Sequence, residues 1–244
     1  MNDNNKVLAL KYRPQTFEDL IGQDVVAKTI SNSLRAKKTP NAYLFTGIRG
    51  VGKTTIARIV AKALNCEKGI ENLCKEKMCE HCEAITNSNH IDVLEMDAAS
   101  KTGVDDVRDL IEFSRYGPTS AKYKIFIVDE VHQMSKAAFN ALLKTLEEPP
   151  QYLKFIFATT EIKKLPVTVV SRCQRFDLPR IKSNELFIQR FSKVIQSSIK
   201  LRPKKLGTYS CLALFVSRAK FLKRRIRPSK ALIISCRAST APMQ

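Results

Sequence analysis

The residues best placed to do chemistry are GIRGVGKTT, residues 47 to 55, which fit the pattern G-x-x-x-x-G-K-[ST]. In that pattern Gly47, Gly50 and Gly52 let backbone N–H groups close around phosphate oxygens, and Lys53 adds a point charge on the outer phosphates. The Thr54 hydroxyl, followed by Thr55, can ligate Mg2+. A second set is KIFIVDE, residues 124 to 130, in which four apolar residues run into Asp129 and Glu130. Two carboxylates at the carboxyl end of a strand could hold a magnesium shell, through Asp129, and polarise an attacking water, through Glu130. A third set is Cys66, Cys74, Cys79 and Cys82, four of the seven cysteines. In a chain with no sign of secretion such a cluster argues for a metal before disulfides, and four thiolates suit a closed tetrahedral zinc site.

These groups need a frame that brings strand ends together. Short apolar runs alternate with amphipathic stretches along the chain, the pattern of a parallel sheet with helices on both faces. The strand candidates are Ala42 to Thr46, Asp92 to Asp97, Lys124 to Asp129, Lys154 to Thr159 and Gln174 to Leu178. The first leads into the glycine-rich loop, and the loop opens a helix, TIARIVAKAL. Between the third and fourth lies SKAAFNALLKTLEEPP. There Ser135 can accept the first free helical N–H groups, Phe139, Leu142, Leu143 and Leu146 line one face, and Pro149-Pro150 stops the helix.

The chain carries 42 Lys and Arg against 23 Asp and Glu, a net charge of +19. The last acid is Glu185; up to that point 28 basic residues face all 23 acids, so the net is only +5 there. The excess lies beyond it, as in SRAKFLKRRIRPSK, residues 217 to 230. No apolar run is long enough to span a bilayer, and MNDNNKVLALKY lacks the charged-then-apolar order of a signal peptide, so a cytoplasmic protein is expected. No protease triad, Rossmann fingerprint or glycosidase carboxylate pair is found, and His90 and His132 read as structural or surface residues.

KYRPQTFEDLIGQ, GIRGVGKTT, the cysteine insert, EMDAAS, VDEVHQMSKAAFNALLKTLEEPP, FIFATT and KLPVTVVSRCQRF occur in that order. Together they resemble the bacterial DNA polymerase III gamma/tau subunits, over about residues 7 to 198. The resemblance implies an α/β P-loop NTPase of the AAA+ class: a five-stranded parallel sheet flanked by helices, a small zinc-binding insert and the start of a helical lid. It implies an ATPase domain over 1–180 with the zinc module at about 66–82, and a lid beginning over 181–198.

The function implied is ATP binding and hydrolysis in the clamp loader, which opens the sliding clamp and loads it on primer-template DNA. Its partners would be other loader subunits and copies of itself, within a DNA-directed DNA polymerase holoenzyme, a nucleotidyltransferase whose polymerising step belongs to another subunit. A branch-migration helicase would share the phosphate loop and carboxylates, though not the cysteine insert. By resemblance, Tyr12, Arg13 and Pro14, with Ile21, Gly22 and Gln23, pack around the adenine. Thr159 corresponds to the sensor that contacts the γ-phosphate or its water, and Arg172 to the arginine finger that reaches a neighbour's ATP. The family sets its last three cysteines three apart, whereas Cys74 stands five before Cys79, which leaves His81 as an alternative fourth ligand.

The resemblance stops near Ile199. A sensor arginine and a helical collar are expected there; instead residues 199–244 contain no acid and no sustained helical period. A DNA-binding arm, a different small domain and a lost reading frame are the three readings. An out-of-frame tail on a truncated chain fits the abrupt change best, and such a remnant would bind ATP poorly and fail to assemble.

Overall fold

The structure, a computed structural model, describes residues 13–69, 73–74, 78–100 and 103–181. The chain divides into two units, 1–189 and 190–244; the second lies outside the described residues, as do the expected lid helix and the basic tail.

Five strands form one parallel sheet: β1 (Ala42–Thr46), β2 (Val93–Asp97), β3 (Lys124–Asp129), β4 (Leu153–Thr159) and β5 (Gln174–Asp177), in the order β2-β3-β4-β1-β5. The five expected strands are these, to within one residue at either end. The helices are α1 (Asp24–Arg35), α2 (Lys53–Asn65), α3 (Glu80–Thr86), α4 (Val104–Arg115), α5 (Lys136–Glu147) and the single turn α6 (Val167–Val170).

Side chains alternate across the sheet, so each strand feeds two cores. Tyr43, Phe45, Ile125, Ile127 and Ile156 pack with α1 and α2 on one face, through Ile30, Leu34, Ile56 and Val60. Leu44, Phe126, Val128, Phe155 and Phe157 pack with α4 and α5 on the other, through Val107, Phe139, Leu142 and Leu146. Both faces are covered, which is why the inner strands carry unbroken apolar runs rather than alternating. Helix α5 starts as its sequence requires: the Ser135 hydroxyl accepts from the Ala138 N–H at 3.2 Å. Leu143 is only partly buried, flanking the stripe that Phe139, Leu142 and Leu146 bury.

The register sets the ends of the strands level. Thr46 pairs with Thr159 and with Asp177, and Asp97 pairs with Asp129. The chain leaves β1 for the far edge of the sheet and later returns to its other side, so the loop after β1 sits where ligands bind in open α/β sheets.

Candidate functional site

The loop Gly47–Gly52 crosses the carboxyl end of β1 and opens α2. Gly52 caps that helix with φ +99°, a conformation that side chains with a Cβ rarely adopt. A Cβ on Gly47 would lie 2.8 Å from the Leu178 carbonyl oxygen, so that turn has no room for one. Lys53 is buried at 5% exposure, and its Nζ donates to the Gly47 carbonyl at 3.0 Å and the Ile48 carbonyl at 3.4 Å. The loop and the exposed N–H groups of the first turn of α2 thus form a concave donor surface with one ammonium at its mouth.

The carboxylates stand directly across from it. Thr54 Oγ1 donates to Asp129 Oδ2 at 2.6 Å, and the Glu130 N–H donates to Asp129 Oδ1 at 2.9 Å. Glu130 has φ 45° and ψ 43°, left-handed backbone that is costly for a glutamate. The twist turns its carboxylate toward the end of β4, where Oε2 accepts from the Thr160 N–H at 3.2 Å and from Thr160 Oγ1 at 3.1 Å, while Oε1 lies 3.8 Å from Lys53 Nζ. A cleft of about 1050 Å³ runs over these groups, walled by Arg13, Pro14, the loop, Asp97, Asp129, Glu130, His132, Thr160 and Glu161.

Two expected positions need restating. Thr159 is fully buried and does not line the cleft; Thr160 does. The Thr159 hydroxyl instead accepts from the Glu161 N–H at 3.1 Å and meets His132 Nδ1 at 3.1 Å. His132, read from sequence as structural or surface, stands in the wall of this cleft. Its position two residues after Glu130, on the turn Val131–Gln133, was the available signal; lacking any periodic partner, it carried no weight in the sequence.

Of the segment expected to pack around the adenine, Tyr12 lies outside the described residues. Arg13 and Pro14 line the cleft, and Arg13 Nε donates to Thr55 Oγ1 at 3.2 Å. Gln15 anchors this segment: its Oε1 accepts from the buried Lys62 Nζ of α2 and from Thr86 Oγ1 of α3, the latter at 3.4 Å. Gln23, 2% exposed, donates from Nε2 to the Pro179 carbonyl at 2.9 Å, and its Oε1 is buried without a hydrogen-bond partner.

Arg172 is not among the residues that line the cleft of its own chain. Nη2 pairs with Glu147 Oε1 at 2.6 Å and Nη1 donates to the Thr168 carbonyl at 2.6 Å, fastening it to α5 and α6 with 34% of the side chain exposed.

The sulfurs of Cys66, Cys74, Cys79 and Cys82 all lie within 4.8 Å of one another, and Cys66 Sγ stands 3.7 Å from Cys74 Sγ. A tetrahedron with zinc–sulfur bonds of about 2.3 Å has an edge of about 3.8 Å, so the donor set fits zinc in type and spacing. Cys74 therefore joins the cluster despite its spacing in sequence. His81 faces away: its Nδ1 is 2.9 Å from His90 Nε2, and His90 Nδ1 accepts from the Asp92 N–H. Burial and the neighbouring Cys79 push the Cys82 thiol up, while at Cys79 the effect of burial is outweighed by the backbone N–H groups of Cys82 and Glu67, bringing it to about 7. Thiols crowded this way resist ionising together, a repulsion that a divalent cation relieves.

Sheet order, phosphate loop and strand-end carboxylates define a P-loop nucleotide-binding fold of the AAA+ class. A likeness in fold is seen with the Thermotoga maritima RuvB Holliday junction branch migration motor: TM-score 0.53 at 20% identity, over 76% of this chain and 55% of that one. The chain belongs to the family described as "DNA polymerase III, delta subunit", whose model matches residues 22–182. It is 50% identical over 187 residues to DNA polymerase III subunit tau of Bacillus subtilis, covering 76% of this chain and 33% of that protein. It is also 50% identical over 184 residues to DNA polymerase III subunit gamma of Buchnera aphidicola subsp. Baizongia pistaciae, covering 75% and 49%. The resemblance read from the motifs is thus matched in named relatives, and the chain spans half or less of their length. No helix among the described residues is long and apolar enough to cross a membrane.

Proposed function

We propose that this chain binds and hydrolyses ATP as a subunit of a bacterial DNA polymerase III clamp loader, loading the sliding clamp on primer-template DNA. The observation that carries the reading is the convergence of Lys53, Thr54, Asp129 and Glu130 on one cleft, with Thr54 already in contact with Asp129. In this reading the loop N–H groups and Lys53 hold the phosphates, and Thr54 and Asp129 would hold Mg2+, which would supply charge neutralisation to the transferred phosphate. Glu130 orients and polarises the water. Arg13 and Pro14, which line the cleft, border the adenine together with the Ile21–Gln23 segment. Thr159 acts from behind the cleft wall through its buried hydroxyl. Arg172, absent from the lining of its own cleft, serves the ATP of a neighbouring subunit. Cys66, Cys74, Cys79 and Cys82 hold zinc in a structural role.

A branch-migration motor shares the fold, but identity near 50% to tau and gamma subunits favours the loader. The test uses the whole chain, alone and with the other loader subunits and clamp. Lys53→Ala is expected to abolish nucleotide binding, and Glu130→Gln to retain binding while slowing hydrolysis roughly 10²- to 10⁴-fold. Unchanged ATPase in either variant overturns the site assignment, and a wild-type chain that binds no nucleotide identifies a non-functional remnant.

A further inference from the structure

We propose that His132 is a positioning residue for Glu130, tying the carboxylate to the end of β4 through Thr159; the proposal rests on the hydrolytic reading above. The imidazole is almost enclosed, with 4% of its side chain exposed. One ring nitrogen faces both groups: Nδ1 lies 3.1 Å from Thr159 Oγ1 and 3.4 Å from Glu130 Oε2. An ionised carboxylate can only accept, so the nitrogen turned to it carries the proton. Nε2 is then the acceptor: the Gln133 side-chain amide at 3.3 Å can donate to it, while the half-exposed Glu161 carboxylate stands farther off, at 3.8 Å. Of the two carboxylates beside the ring Glu130 is the nearer, so the proton belongs on Nδ1, where Thr159 Oγ1 makes the shorter contact and Glu130 Oε2 the longer.

The backbone explains why such a prop is needed. Glu130 sits in left-handed conformation at the start of the Val131–Gln133 turn, and its side chain leaves the strand direction entirely. Thr160 holds Oε2 from the cleft side, through N–H and hydroxyl, and His132 approaches the same oxygen from within the fold. Removing the imidazole leaves a carboxylate with its Thr160 contacts but free to rotate about them. The turn itself is also held by Val131 and Met134, which are 1% and 7% exposed, so the ring is not its sole anchor. A misplacement of about 1 Å at a reacting group can cost on the order of 10²-fold in rate.

The experiment compares wild type, His132→Ala and His132→Asn as full-length chains under loader conditions, with ATP affinity, kcat and melting temperature measured together. His132→Ala is expected to lower kcat roughly ten- to a hundred-fold with ATP affinity and melting temperature little changed. His132→Asn, whose amide N–H stands in for Nδ1–H, is expected to recover most of the loss. An unchanged kcat in His132→Ala, a parallel loss of affinity and stability, or an asparagine variant as slow as alanine overturns the proposal. Nitrogen-15 spectra of the imidazoles test the link without turnover: the His132 Nδ1 resonance should move in both Glu130→Gln and Thr159→Val, and a resonance unmoved in either overturns it. A wild type that binds ATP without hydrolysing it overturns the hydrolytic reading instead, and the spectra then decide the link alone.

Discussion

The Thr54 hydroxyl donates to Asp129 Oδ2 at 2.6 Å, joining the first turn of α2 to the end of β3 across 75 residues of sequence. The two oxygens that would share a magnesium ion are already neighbours, so little reorganisation stands between the free and metal-bound arrangements. Asp129→Asn keeps the shape and removes the charge. Its ATP affinity in Mg2+ should fall roughly tenfold or more, the effect of losing a hydrogen bond to a charged group, while affinity in EDTA stays that of wild type. Titration with a fluorescent nucleotide in both buffers checks this, and equal losses in the two buffers would contradict it.

The cysteine cluster predicts one zinc per chain by elemental analysis. Cys82→Ser, at the buried centre of the set, should lose the metal and melt on the order of 10 °C lower, since metal binding is folding energy. Cys74→Ser should behave likewise. His81→Ala should retain the zinc; if it loses the metal while Cys74→Ser keeps it, the fourth ligand has been misassigned.

Asp92 is fully buried, and its oxygens accept from the N–H groups of Thr119, Ser120 and Ala121 and from the Ser120 hydroxyl at 2.8 to 3.1 Å. Burial alone would raise its pKa; these donors outweigh burial and hold the carboxyl below its usual range. The stability it contributes is therefore complete above the unfolded value of about 4 and drains away as pH falls through the lower folded value. Asp92→Asn should cost on the order of 3 kcal/mol at neutral pH. The gap in melting temperature from wild type should narrow below about pH 4; a gap that widens on acidification would mean that folding raises the Asp92 pKa instead of lowering it.

Arg172→Ala should bind ATP normally and lose hydrolysis only when loader subunits are assembled, by roughly 10³-fold or more. Its ion pair with Glu147 is half-exposed and worth about 0–1 kcal/mol, so the melting temperature should barely move. Equal loss of hydrolysis in an isolated subunit would argue against action on a neighbour's nucleotide.

Much of this was legible in the sequence where the signal is local. The phosphate loop, the strand ending in Asp129 and Glu130, and the Ser135 cap all follow from neighbours in the chain. What depends on distant contacts was not. Lys62, Lys124 and Lys154 carry no local mark of burial in the sequence, yet all three are buried at 4% exposure or less. Lys124 Nζ donates to the Phe113 and Tyr116 carbonyls at the end of α4, and Lys154 Nζ to Asn41 Oδ1. Burial lowers the pKa of each. His132 and Thr160 were missed for a related reason: only the left-handed turn at Glu130, a tertiary outcome, brings them to its carboxylate. The spacing of Cys74 misled because three-dimensional proximity, not interval, decides which sulfurs meet.

The position of β1 has a consequence for how the chain is made. Among the described strands it is the first to leave the ribosome, yet its partners are β4, where Ala42 meets Phe155, and β5, where Thr46 meets Asp177. Until those segments emerge, β1 has both edges unpaired, and the phosphate loop that follows it has no floor. Such long-range pairing is slow to form and leaves exposed strand edges in the interim. The nucleotide cradle is thus among the earliest parts synthesised and among the last to be supported, and a nascent chain stopped before β4 would carry the whole phosphate-loop motif without the sheet that shapes it.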